Sequence, residues 1–157
     1  MQGNPIFMEQ AIALATENVT SGRGGPFGSV IVRDGKVVAA GANQVTTNND
    51  PTAHAEIVVI RKACETLGTF SLAGCEIYTS CEPCPMCLAA IYWARLDAIY
   101  FGNTAADARW AGFDDAHLYD EVKKPLEERS IPTINLMRDK AILSFEAWRE
   151  HAGRIDY

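Results

Sequence analysis

Apolar residues recur at Met8, Ala11, Ile12, Ala15 and Val19, at i, i+3, i+4, i+7 and i+11, which predicts one face of an α-helix ending near Ser21-Gly22. Gly24-Gly25-Pro26-Phe27-Gly28 then breaks the pattern, and the period changes. Val30-Ile31-Val32 and Val37-Val38-Ala39 flank Asp34-Gly35, the signal of two antiparallel strands in a tight hairpin. The polar stretch 41–51 is rich in turn formers and predicts a loop facing a ligand. Ile57, Ile60, Cys64 and Leu67 restore helical spacing up to Gly68, which sets His54 at the mouth of a helix and Cys64 in the core. Glu76 to Thr79 predicts a strand, and Pro85 suits the first position of a helix whose Met86, Ala89, Ala90 and Trp93 line one face. Ala98 to Phe101 predicts a further strand. Past Gly102 the pattern weakens to a short helix and loop over 107–119, a last strand over 131–137 and a last helix over 141–152. This order places the chain in the α/β class, as a mixed sheet covered by helices.

Composition narrows the picture. The 157 residues contain no repeat, low-complexity tract or Gly/Ser linker, so one folding unit over 1–157 is expected. The first residues lack a basic region followed by an apolar core, and no apolar run approaches membrane length, so a soluble cytoplasmic protein is expected. Fourteen basic and twenty acidic residues give a formal charge of -6, which disfavours a polynucleotide substrate. The five cysteines are an odd set, and Cys81, Cys84 and Cys87 crowd into seven positions, which suits metal binding or free thiols better than disulfides.

The chemistry concentrates in two short stretches, Thr52-Ala53-His54-Ala55-Glu56 and Ser80 to Cys87. Cys84 and Cys87, at i and i+3, project from one side of a first helical turn, where unpaired amides and the helix dipole favour thiolates. With His54 as third ligand they form a zinc site whose fourth position is open to water, and Glu56 is free to carry protons. His-x-Glu followed by Pro-Cys-x-x-Cys is the known zinc-deaminase signature. Two other uses of the thiols stay open: a closed site of Cys81, Cys84, Cys87 and His54, or an iron-sulfur cluster. Both leave Glu56 without a task. Taken singly, Phe27 and Trp93 would be core residues, Asn43 a turn residue, Asp114-Asp115 a solvated pair, and Cys75 a core thiol. Cys81 is set aside as a strand-end residue, and His117 and His151 receive no role.

His54-Ala-Glu56 and Pro83-Cys84-Pro85-Met86-Cys87, with the preceding hairpin, resemble the cytidine deaminase-like superfamily. More narrowly, Gly24 to Gly28, Asn48 to Glu56, Tyr78 to Cys87, Ile91 to Arg95, Ala111 to Asp115 and the final Tyr157 resemble its bacterial guanine deaminases, over essentially the whole chain. The resemblance implies a three-layer α/β/α fold with a central five-stranded mixed sheet. It also implies a homodimer whose C-terminal segment, about 140–157, is exchanged between subunits as a lid. His54, Cys84 and Cys87 would hold Zn2+, and Glu56 would shuttle protons. Phe27 and Trp93 would pack near a purine base, Asn43 and the Ala55 backbone would hydrogen-bond it, and Asp115 and Tyr157 would complete the pocket. The implied reaction turns guanine into xanthine and ammonia. Other zinc deaminases of this fold, acting on cytosine, a nucleoside or adenosine in transfer RNA, are the alternative, with a non-catalytic zinc module behind them.

Overall fold

The computed structural model describes residues 2–113 and 115–157. Asn4 caps α1 (Pro5–Thr20), its side chain accepting from the Ile6 amide, and Pro5 takes the first helical position, where no amide donor is needed. The hairpin β1 (Gly28–Arg33) and β2 (Lys36–Ala42) turns at Asp34 and Gly35, whose φ angles of 51° and 70° are the left-handed pair that a two-residue turn requires. A one-turn helix, α2 (Val45–Asn48), interrupts the expected loop. Directly after His54, α3 (Ala55–Leu67) begins, and it stops at Gly68 with φ 64°. β3 (Cys75–Cys81), α4 (Pro85–Trp93) and β4 (Ala98–Asn103) follow, then α5 (Ala105–Trp110), α6 (Asp115–Lys123), a 3-10 turn at Leu126–Glu128, and α7 (Arg138–Glu150).

The strands form one mixed sheet in the order β2-β1-β3-β4, with β1 antiparallel to β2 and β3, and β3 parallel to β4 across α4. Strand alternation sends side chains to two faces. Ile31, Ile77 and Ile99 pack with Val59 and Ala63 of α3 and Ile91 of α4, while Val30, Val32, Tyr78 and Tyr100 pack with Phe7, Met8, Ala11 and Leu14 of α1. Three layers result, and the run Val30-Ile31-Val32 is apolar throughout because β1 is covered on both faces. α1 lies so close to β1 that a Cβ on Gly28 would sit 2.3 Å from the Ala11 carbonyl oxygen and 2.7 Å from the Ala15 amide nitrogen. Gly28→Ala is therefore expected to cost about 1–3 kcal/mol, because backbone rather than a mobile side chain must move. A thermal melt at the wild-type Tm would contradict this contact.

Four expectations need correction. Among the described residues the sheet has four strands, not five: residues 131–137 are not a strand, since β4 is the sheet's edge and no neighbour in this chain pairs with them. Pro132 also lacks an amide donor. In α1 the apolar stripe is rotated, with Ala11, Ala15 and Asn18 buried and Ile12 and Val19 exposed. In α4 the buried residues are Cys87 and Ile91, and Trp93 is 62% exposed and points outward. Cys64 is half-buried at the rim of α3, where Val58, Val59 and Ala63 form the inner face. Cys75 is fully buried, as expected for a core thiol. Asp114 lies outside the described residues. Among those residues no helix is long and apolar enough to cross a membrane.

Candidate active site

Two helix starts meet at one point. His54 is the N-cap of α3, and Cys84 is the N-cap of α4 with Pro85 after it and Cys87 one turn in. The helical i, i+3 relation turns both sulfurs to the same side. Their Sγ atoms lie 3.6 Å (Cys84) and 3.5 Å (Cys87) from His54 Nδ1, and the three donor atoms fall within 4.8 Å of one another. A tetrahedral zinc with bonds of about 2.1 Å to nitrogen and 2.3 Å to sulfur needs a nitrogen–sulfur edge of roughly 3.6 Å. The observed spacing fits.

The charges fit as well. The Cys84 thiol is pushed down to about 4, first by the hydrogen bond from Cys87 and then by His54, while burial opposes. Cys87 is held protonated, because it donates to that thiolate and is buried. His54 is raised, chiefly by its hydrogen bond with Cys84. The surroundings thus favour ionisation of one thiol of the pair, and a dication would draw the proton from the other. Cys81 stands apart: it ends β3 buried, desolvation pushes its thiol up to about 11, and its Sγ lies 3.8 Å from the Thr104 carbonyl oxygen. It does not belong to the donor cluster found among the described residues, so the closed three-cysteine, one-histidine site is not formed.

Glu56, on the first turn of α3, is 6 % exposed, and burial is the largest cause raising its carboxyl above the usual range. It opens with His54 and Cys84 onto a cavity of about 310 Å³, whose walls include Phe27, Asn43 and Asp115. Ala55, also expected at the site, is fully buried as the first residue of α3, where amides have no acceptor inside the helix. Asp115 is carried on the first turn of α6. One turn later the Tyr119 hydroxyl donates to the Pro83 carbonyl at 2.9 Å, which ties α6 to the cysteine loop.

Trp93 and Tyr157 are placed elsewhere in this chain. Their rings lie 6.1 Å apart in a groove between α3 and α4, beside Ile57, Ile60 and Cys64, and neither lines the cavity. Sequence reasoning passed over Phe113, which meets Phe27 edge-on at 4.8 Å, and Glu82, whose Oε2 accepts from the Ala105 amide at 3.0 Å. Both line the cavity. No periodicity flags Phe113; Glu82 sits beside the cysteine motif and was available to inspection.

Residues 1–103 match the cytidine and deoxycytidylate deaminase zinc-binding region. Over 151 residues the chain is 53% identical to a guanine deaminase of Bacillus subtilis (strain 168), covering 96% of this chain and 97% of that one. An X-ray structure of guanine deaminase from Bacillus subtilis superposes with a TM-score of 0.96 at 51% identity, over 99% of each chain. A tRNA-specific adenosine deaminase of Aquifex aeolicus is 36% identical over 138 residues, 82% of this chain and 89% of that one. His54, Cys84 and Cys87 are accordingly the zinc site. The chain belongs to the cytidine and deoxycytidylate deaminase zinc-binding family and, within it, to the guanine deaminases.

Proposed function

We propose that this protein hydrolyses guanine to xanthine and ammonia, with Glu56 as the proton carrier. The observation that carries this reading is a buried carboxyl, raised by desolvation, facing the same cavity as an open His54, Cys84, Cys87 cluster. These three residues would hold zinc, which when bound would lower the pKa of a water in the open fourth position. Glu56 would take a proton from the attacking water, deliver it to the ring nitrogen N3 beside the attacked C2, and pass the second proton to the departing amine. Asp115 accepts from N1–H and the exocyclic amine, since a carboxylate matches two donors on one edge. Asn43 accepts from the Val45 amide through Oδ1 at 3.2 Å, and its Nδ2 donates to the base. The Ala55 amide is a second donor, and Phe27 supplies an apolar wall.

The protein acts as a homodimer, and its C-terminal segment serves the partner. The support is what that segment leaves uncovered: Ile134 is 82% exposed, Leu136 79% and Phe145 68%, and α7 has no buried residue. Surfaces of this kind mark an interface. A second copy's tail, about 140–157, carries Tyr157 to the site with Trp93 packing alongside. Deleting Ile155 to Tyr157 is expected to lower kcat/KM roughly tenfold or more by admitting water, with zinc content unchanged. Kinetics equal to the full-length chain would make the tail mere surface. The compartment is cytoplasmic, where Cys84 and Cys87 stay reduced.

Zinc content followed by ammonia release over a panel of guanine, cytosine, adenosine, guanosine and transfer RNA tests the substrate. Guanine alone is expected to react at a substantial rate. Turnover of transfer RNA or cytosine with guanine untouched would overturn the reading.

A further inference from the structure

The one large polar side chain on the buried face of α1 is Asn18, 4 % exposed and two turns beyond Ala11 on the Ala11, Ala15, Asn18 face. Its Nδ2 donates to two carbonyl oxygens at once, that of Gly25 at 2.9 Å and that of Asn43 at 3.0 Å. Gly25 and Asn43 both line the active-site cavity, whereas Asn18 does not. The Asn18 carbonyl in turn accepts from the amides of Arg23 at 3.0 Å and Gly24 at 3.2 Å, so the chain leaving α1 folds back on the same residue. A Cβ on Gly24 would lie 2.8 Å from Asn18 Nδ2 and 2.9 Å from the Asn43 carbonyl oxygen, which leaves room only for glycine at this approach.

Asn43 is held from three sides. Asn18 grips its carbonyl, its amide donates to the Phe27 carbonyl at 2.9 Å, and its Oδ1 accepts from the Val45 amide at 3.2 Å. A buried carbonyl without a donor costs about as much as a lost hydrogen bond, so the Asn43 peptide is most stable where Nδ2 can reach it. We propose that Asn18 is a positioning residue for base recognition: its single amide group spans Gly25 and Asn43 and so sets the distance between two walls of the cavity and the direction of the Asn43 side chain. This rests on the assignment of Asn43 to the base.

A merely structural role would lower stability alone, while a positioning role also weakens the enzyme's hold on its substrate. Steady-state kinetics, Tm and zinc content are compared for wild type, Asn18→Ala, Asn18→Ser and Leu72→Ala, on whichever base of the panel wild type turns over. Asn18→Ala is expected to raise KM about tenfold with kcat within about twofold and zinc unchanged, since the metal and Glu56 stay in place. Asn18→Ser keeps one shorter donor and should fall between. Leu72, fully buried and outside the cavity lining, is the control: its truncation lowers Tm and leaves KM alone. An unchanged KM in Asn18→Ala, or the same rise in Leu72→Ala at equal loss of Tm, overturns the proposal. If Asn18→Ala does not fold, Asn18→Ser is judged by the same criterion. A wrong substrate shows instead as wild type preferring another base, on which the KM comparison is still read.

Discussion

Glu56→Gln is expected to bind zinc as wild type does and to deaminate guanine about a thousandfold more slowly. The substitution keeps the shape of the side chain and its place on α3 while removing the one property the reaction uses, reversible protonation. Zinc should be retained because Glu56 is not among the donor atoms that cluster at His54, Cys84 and Cys87. Stability should be preserved too, since an amide needs less desolvation than a carboxylate at a position only 6 % exposed. Metal analysis beside an ammonia-release assay separates the two effects. Turnover near the wild-type rate would remove Glu56 from the proton path, and loss of zinc would make it a ligand.

Cys87→Ala should abolish both zinc binding and measurable turnover. It removes one of three ligands, and the two that remain, His54 and Cys84, lose the chelate made by the helical i, i+3 pair. A chelator should inactivate wild type in the same way, with added zinc restoring wild type but not Cys87→Ala. Cys81→Ala is the informative comparison. Its thiol lies outside the donor cluster and is held protonated by burial, so this variant should keep its zinc. Zinc loss there would mean a closed four-ligand site, which has no position for water.

The metal site was legible before any tertiary structure because its parts are local. His54 and Glu56 are two residues apart at a helix start, and Cys84 and Cys87 share the first turn of the next helix, where Pro85 fixes the register. The hairpin was legible for a similar reason: Asp34-Gly35 tolerates the two positive φ values a tight turn needs. Misreadings arose where an apolar residue had more than one destination. Ile12 and Val19 fit the helical period of α1 as well as Leu14 and Asn18 do, but the sheet selects the latter face. Trp93 fits the α4 stripe and still points away from the sheet.

The sequence by itself determined which groups can bind zinc and where the helices that present them begin, because one or two helical turns fix those relations. Only the tertiary structure decided that Cys81 stays out of the cluster, that Phe113 and Glu82 join the cavity, and that Asn18 holds Gly25 beside Asn43. It also decided that residues 131–137 find no strand to pair with in their own chain. These contacts join residues far apart in the chain or depend on which face of an element is covered. Packing between layers sets them, and no local spacing encodes it.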